Sequence, residues 1–309
     1  MIKNANIGVV LVTFNRLEKL KKTLESYAEQ TLYPQYIIVV NNASNDGTTD
    51  FLAEWENEAS PYKRIVINLS HNLGGSGGYY AGEKEAIKLS ASWIMVADDD
   101  AYPSADYIEG MDSFIQSYIG GRLAAVCGSV VEKGSYALWH RRFKRKGFSL
   151  EYSEVTRPED YQKKDFEVSY ISYVGPVMNK DALQKVGLVD KDFFIWNDDI
   201  EHMQRLGKYG KMFCVPRYEL HHDVDSQNSA LSWKSYYGLR NNLVLLKRYF
   251  PLRFLIVLSL LTAKAILCPL KGKCLQEMRL RLTAIKDGLV GNLGIHPVYK
   301  PGWSLKKSV

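Results

Sequence analysis

Cysteine is scarce in this chain. Four thiols, Cys127, Cys214, Cys268 and Cys274, are scattered over 309 residues, without the short paired spacings of a zinc site or the density of a disulfide framework. Reduced core thiols are therefore expected. Long hydrophobic runs are missing too: Phe254 to Ala263 is apolar, yet Arg253 and Lys264 close it after ten residues, short of the roughly 20 that a spanning helix needs. Strong charge of one sign is also absent, since 40 Lys and Arg against 34 Asp and Glu leave +6. The basic residues gather after 140 and again after 247, which points to local anionic partners and away from nucleic acid. Met1 to Asn6 lead straight into a strand-like segment, without the basic start, apolar stretch and cleavage site of a leader. The expected location is cytoplasmic, with a peripheral place on the inner face of the cell membrane left open.

What is present is an alternation of strand and helix. Ile7 to Val12 and Tyr36 to Val40 are continuous apolar runs suited to strands buried on both faces. Leu17, Leu20, Leu24 and Tyr27 recur at helical spacing, and Phe51, Leu52 and Trp55 mark another helix. Ile65 to Leu69 and Trp93 to Ala97 add two further strands. This is the signature of an α/β layered fold.

In open α/β sheets ligands collect beyond the carboxyl ends of the strands. Three polar segments would meet there: Thr13 to Arg16, Asn41 to Asp46, and Asp98-Asp99-Asp100 ahead of Pro103. Each alone also reads as a helix cap or a solvated turn. Adjacent carboxylates repel unless a cation, usually a divalent metal, neutralises them. Strand alternation puts Asp98 and Asp100 on one face and turns Asp99 away. A fourth segment, Asn72-Leu73-Gly74-Gly75-Ser76-Gly77-Gly78, has four glycines in five positions before a helix. Its uncovered amides suit a pyrophosphate or a sugar, although it is neither a P-loop nor a dinucleotide fingerprint.

In order along the chain, Val12 to Arg16, Val40 to Gly47, Asn72 to Gly78 and Asp98 to Asp100 resemble family 2 glycosyltransferases with the GT-A fold. The Gly-Gly-Ser-Gly-Gly form is most similar to the bacterial galactofuranosyltransferase branch. The resemblance implies a mostly parallel, Rossmann-like sheet flanked by helices, a nucleotide-sugar donor and a divalent metal, Mn2+ or Mg2+. Many relatives carry Asp at the Asn41 or Asn42 position to bond uracil, and here asparagine takes that place. The candidate donor contacts are Thr13, Asn15, Arg16, Asn42, Asp46, Asn72, Gly74, Gly75, Gly77, Gly78, Asp98 and Asp99.

Leu123 to Val131 reads as a strand, and His140 to Gly147 as a basic cluster opening a polar stretch to Lys164, expected as a mobile acceptor-side flap. Tyr170 to Val174 returns to strand, and Asp181 to Val186 forms a short helix. Phe193 to Arg205 then presents Asp198 and Asp199 at a helix start, where capping explains one acid better than two. In the family the second acid of such a pair is the general base, which maps to Asp199, with Asp198 positioning acceptor or base. A family histidine six residues after a proline completes the metal site with Asp98 and Asp100, and Pro216 puts it at His222. Asp223 would orient the His222 ring. Tyr236-Tyr237-Gly238-Leu239-Arg240-Asn241 resembles another family signature, with Arg240 toward donor phosphates. One base and no required nucleophile imply direct displacement, hence inversion.

The expected organisation is a catalytic domain over 1–230, its donor half about 1–103 and its acceptor half about 104–230. A helical region follows over 231–309, packed on the domain or, with Lys271, Lys273, Arg279, Arg281 and Lys286, lying on an anionic membrane. The leading activity is transfer from UDP-galactofuranose to a lipid-linked glycan. A rhamnosyltransferase using dTDP-rhamnose is the near alternative; a nucleotidyltransferase or a non-catalytic glycan-binding module are alternatives of other classes.

Overall fold

Strands covered on both faces have no side to offer water, and the apolar runs of this chain form the centre of its sheet. The computed structural model describes residues 4–147, 150–224, 231–267 and 275–305. β1 (Ile7–Thr13), β2 (Tyr36–Asn41), β3 (Lys63–Asn68) and β4 (Trp93–Asp98) pair in parallel in the order β3-β2-β1-β4. Helices α1 (Leu17–Ala28) and α2 (Thr48–Asn57) cover one face, with Leu20, Leu24, Leu52 and Trp55 joining Val9 and Leu11. α3 (Gly74–Ala86) covers the other, where Tyr79 and Ala86 join Val10 and Val12. Alternation along β1 thus feeds two cores. Thr13 lies opposite Asn41 and Val12 opposite Asp98, so the polar segments leave the sheet at one level.

The second half adds β5 (Ala101–Pro103), α4 (Tyr107–Ser117), β6 (Leu123–Glu132) and the short β7 (Ser135–Tyr136). Beyond them come β8 (Arg141–Gly147), β9 (Leu150–Val155), β10 (Phe166–Val168), β11 (Tyr170–Ile171) and β12 (Val177–Asn179), followed by α5 (Lys180–Val186), α6 (Asp198–Leu206) and β13 (Lys211–His222). β12 enters antiparallel between β4 and β6, and β13 runs parallel to β6. Cys127 and Cys214 are buried free thiols facing each other across that last pairing. Cys268, Cys274, Lys271 and Lys273 lie outside the described residues.

A bulge between Cys214 and Glu219 lets β13 pass Pro216 and resume pairing as far as His221. Two expectations are corrected here. The expected flap at His140 to Lys164 contains β8 and β9, which pair with β11 beyond it in a three-stranded sheet. Its basic alternation hides a strand period, and Arg141 is wholly buried, donating to the Gly128 carbonyl at 3.0 and 2.8 Å. The glycine run is not a loop before a helix but the opening turn of α3. A Cβ at Gly78 would stand 2.5 Å from Val12 Cγ1, one at Gly82 2.2 Å from Val10 Cγ1, and one at Gly77 2.4 Å from Leu73 Cβ. Gly75 alone among the glycines of that run has room, its nearest neighbour being 4.0 Å away.

The C-terminal helices α7 (Trp233–Tyr249), α8 (Pro251–Ile266) and α9 (Leu275–Val290) share a core of Leu243, Ala265 and Ile285. No helix among the described residues is long and apolar enough to cross a membrane.

If close packing dictates the glycines, Gly82→Ala will destabilise by about 1–3 kcal/mol through overpacking, although alanine gains about 1 kcal/mol in helix propensity. Gly75→Ala will be neutral or slightly stabilising. Urea unfolding midpoints read both, and a Gly82→Ala midpoint above the parent's would refute the packing account.

Candidate active site

β4 ends at Asp98, and the chain turns through Asp99 and Asp100 into β5. β5 pairs antiparallel with the end of β13, setting His222 opposite Ala101. One ligand atom from each of Asp98, Asp100 and His222 consequently lies within 4.8 Å of the others. Asp100 Oδ1 is buried without a hydrogen-bond partner and faces His222 Nε2 at 3.4 Å. An orphaned carboxylate oxygen beside a second carboxylate and one imidazole fits a hard divalent cation that tolerates nitrogen, such as manganese.

Protein cations meet the remaining charge. Arg16 Nη1 donates to Asp99 Oδ1 at 3.1 Å and to Asp100 Oδ2 at 2.7 Å. Lys19 Nζ lies 3.7 Å from Asp100 Oδ2, and the Tyr79 hydroxyl donates to Asp98 Oδ1 at 2.6 Å. Asp99 also faces the Phe14 amide at 3.4 Å, so it turns toward β1 while Asp98 and Asp100 share the His222 side. Burial pushes Asp99 up to about 7. It raises Asp98 as well, with the Asp100 charge adding to it. For Asp100, burial is outweighed by His222, Arg16 and Lys19, which hold its carboxyl below the ordinary value. Burial opposes the charge on His222, but Asp100, Asp98 and Glu132 push it up to about 9.

The loops that follow β1 and β2 are held mostly by one another. Asp46 accepts the Leu17 amide at 3.0 Å and the Thr48 amide at 3.2 Å, fastening the starts of α1 and α2. Asn15 is left-handed at φ 53°, and its Oδ1 accepts the Asn45 amide at 2.8 Å. Thr13 is buried at the end of β1. Asn42 departs from its expected part: its Nδ2 donates to Asn72 Oδ1 at 3.1 Å and the Gly74 carbonyl at 2.9 Å, so both donor hydrogens are spent on the start of α3. Asn41 is likewise committed to Thr49 and Asn68.

Asp198 and Asp199 open α6 behind a strained segment. Phe194, Trp196 and Asn197 all have left-handed φ, at 69°, 65° and 65°, a conformation that bulky residues keep only when their surroundings impose it. Asn241 Nδ2 imposes it, donating to the carbonyls of Phe193 at 2.9 Å, Ile195 at 2.8 Å and Trp196 at 2.9 Å. From the first turn of α3, Ser76 donates its amide to the Phe194 carbonyl at 3.2 Å. A Cβ at Gly74, whose φ is +74°, would stand 2.1 Å from that same oxygen. Arg240 corrects another expectation: it is buried, donates to the Phe193 carbonyl at 2.9 Å and the Gly294 carbonyl at 2.6 Å, and clamps this segment instead of reaching a phosphate.

Burial pushes Asp198 up to about 6. It pushes half-buried Asp199 up to about 7, with the Asp198 charge second. The Asp98 charge adds to both shifts, which sets the pair electrostatically against the triplet.

Residues 8–187 match the family model described as Glycosyl transferase family 2. The chain belongs to that family. This glycosyltransferase is 26% identical over 222 residues to galactofuranosyltransferase GlfT1 of Mycobacterium tuberculosis, covering 70% of each chain. It is 25% identical over 308 residues to dTDP-rhamnosyl transferase RfbF of Shigella flexneri, covering 94% of this chain and 98% of the relative. Its fold matches that of GalNAc-T7 with UDP, GalNAc and Mn2+ at TM-score 0.61 and 14% identity, over 79% of this chain but only 48% of that one. The chain thus spans about half the length of that structure. S. aureus TarS in complex with UDP-GlcNAc matches at TM-score 0.53 and 14% identity, over 78% of this chain and 66% of that one. These likenesses establish the GT-A fold, mostly parallel at the centre and flanked by helices.

Several residues of the glycosyltransferase cleft carried no signal in the sequence. Glu132 Oε1 lies 2.9 Å from His222 Nδ1 and 2.9 Å from His140 Nε2. Asp223, expected to orient His222, instead accepts the Tyr102 hydroxyl at 3.3 Å, while its carbonyl accepts Lys19 at 2.6 Å. Only the strand pairing reveals these neighbours. Asn241 was visible as part of a signature, but its three carbonyl acceptors were not.

Asn241→Ala removes the amide whose two hydrogens are shared among three carbonyls of a strained segment; Phe193 keeps Arg240, but the Ile195 and Trp196 carbonyls lose their side-chain donor, at a cost of roughly 1–3 kcal/mol. We expect a lowered unfolding midpoint and faster amide hydrogen exchange over 194–199. Exchange unchanged there would show that the segment holds its shape without Asn241.

Proposed function

We propose that this glycosyltransferase moves galactofuranose from UDP-galactofuranose to a hydroxyl of a lipid-linked glycan in surface-polysaccharide synthesis. It does so with inversion, using Mn2+ or Mg2+ held by Asp98, Asp100 and His222. The observation that carries this reading is the convergence of those three residues, with the Asp98 charge near enough to add to the raised carboxyls of Asp198 and Asp199. Asp199 takes the proton of the acceptor hydroxyl as that oxygen bonds to the anomeric carbon, and the bond to the nucleoside diphosphate breaks on the opposite face. A carboxyl raised to about 7 is a stronger base than an ordinary one and is still ionised near neutrality. Asp198 holds acceptor or base in place. The bound cation would offset charge on the departing diphosphate, and Arg16 and Lys19 add positive charge at the same rim. Thr13, Asn15, Asp46, Asn72, Asp99 and the open face at Gly75 shape the donor side.

The galactofuranosyl donor is supported by the GlfT1 relative. A second reading, dTDP-rhamnose, is favoured by the nearly full-length match to RfbF. Incubation with each donor and the product mass separates them: a hexose increment is expected, a deoxyhexose increment establishes the second reading, and neither overturns both. Because Asp199 must be ionised to accept a proton, kcat/KM should rise with pH through about 7 and then level. Asp199→Asn should bind donor yet lose about 10²–10⁴-fold in transfer. Turnover near the parent's would remove Asp199 as the base.

Lipid linkage gives the C-terminal helices a role. On α8, Leu252, Leu255, Ile256, Leu260 and Ile266 are exposed, while Phe254, Val257, Leu258 and Leu261 pack inward. Residues 251–267 include Arg253 and Lys264 and no acid, the composition of a helix lying on an anionic surface. The protein should co-sediment with phosphatidylglycerol vesicles and not with phosphatidylcholine alone. Leu255→Glu with Leu260→Glu should abolish sedimentation while sparing transfer to a water-soluble acceptor. Equal sedimentation of parent and variant would assign the face elsewhere.

A further inference from the structure

His222 is the one proposed metal ligand that comes from outside the triplet, and an imidazole ligates only when its ring is turned the right way. Its orientation is set from β6. β6 and β13 run parallel with His221 opposite Val131, so the next residues along, Glu132 and His222, come together at the strand ends. Glu132 Oε1 lies 2.9 Å from His222 Nδ1, leaving Nε2 to face Asp100 Oδ1 at 3.4 Å. The same Glu132 oxygen lies 2.9 Å from Nε2 of His140, whose ring is buried. His140 is fixed in turn, its Nδ1 2.6 Å from Ser172 Oγ and its ring edge-on to His222 at 5.4 Å. The chain Ser172–His140–Glu132–His222 thus runs from β11's end to the rim of the acidic triplet.

We propose that Glu132 is a positioning residue that fixes the His222 ring for divalent-cation binding, and that His140 locks Glu132 in place. The inference rests on the cation site of the proposed function. Glu132, His140 and His222 also lie close enough to form a metal cluster themselves. Each of the inner contacts is already satisfied within the chain, however, whereas the orphaned oxygen belongs to Asp100. That asymmetry assigns the cation to the triplet side and the orienting task to Glu132.

The test is Mn2+ binding to the full-length protein in the presence of UDP, followed by electron paramagnetic resonance of free Mn2+. The parent should bind one equivalent. Glu132→Ala should weaken binding by about 10–100-fold, the usual effect of removing an outer partner of a ligating histidine. Glu132→Gln, whose amide oxygen still accepts the Nδ1 proton, should recover part of that loss. His140→Ala should lose less than Glu132→Ala. Circular dichroism checks that each variant is folded, and Glu132→Gln carries the test if Glu132→Ala is not. Parent-like affinity in a folded Glu132→Ala variant overturns the proposal. So does a second equivalent in the parent that this variant lacks, since the cluster would then be a metal site of its own. Failure of the parent to bind any Mn2+, or unchanged binding in His222→Ala, would instead strike the proposed cation site.

Discussion

Three neighbouring carboxylates at the end of a buried strand are stable only where positive charge meets them. Two unit charges 4 Å apart interact by about 4 kcal/mol at an effective dielectric of 20, so the sequence cannot leave Asp98 to Asp100 uncompensated. The compensation is non-local. Arg16 comes from the turn before α1, Lys19 from its first turn and His222 from the end of β13. The junction of β1 with α1, and the pairing of β5 with β13, are therefore requirements of the acidic triplet as much as features of the sheet. Arg16 bridges Asp99 and Asp100 Oδ2 yet leaves Asp100 Oδ1 without a hydrogen bond and facing the His222 ring at 3.4 Å, the point where the proposed cation would sit.

The opposite wall depends on a second constraint. Phe194, Trp196 and Asn197 hold left-handed backbone, and such conformations cost of order 1–3 kcal/mol each. Asn241 and Arg240 offset that cost from α7, and Ser76 contributes from α3. The helical C-terminal region is in this way part of the cleft's construction, although its outer face on α8 remains exposed. One side of the region braces the segment ahead of the acids, and the other keeps apolar side chains of α8 exposed.

The parallel strands, their order of alternation with helices and the meeting of Asp98, Asp100 and His222 were legible, because apolar runs, turn residues and motif order are local signals. Misreadings arose where pairing decides. Arg141 sits in a basic run that reads as solvent-facing until Gly128 and Val174 place carbonyls around it. Arg240 reads as a phosphate ligand until the carbonyls of Phe193 and Gly294 claim it. Glu132 is an unremarked acid at a strand end, and only the β6–β13 register gives it His222 as a neighbour. In each case the side chain's type was plain and its partner lay far away in sequence.

The glycine run shows how packing and binding can share one cause. Glycines at 77, 78 and 82 let α3 settle against its own first turn and against β1, and that approach brings Tyr79 to Asp98. The helix start is thereby delivered to the edge where donor would lie. Its first amides are partly occupied from within, Gly74 by Asn72 and Ser76 by Phe194, and Gly74 itself is closed by the Phe194 carbonyl. Of the four glycines that appeared suited to a sugar or a pyrophosphate, only Gly75 opens onto space. The others act one step earlier, by setting how close the helix, and with it Gly75, comes to the triplet.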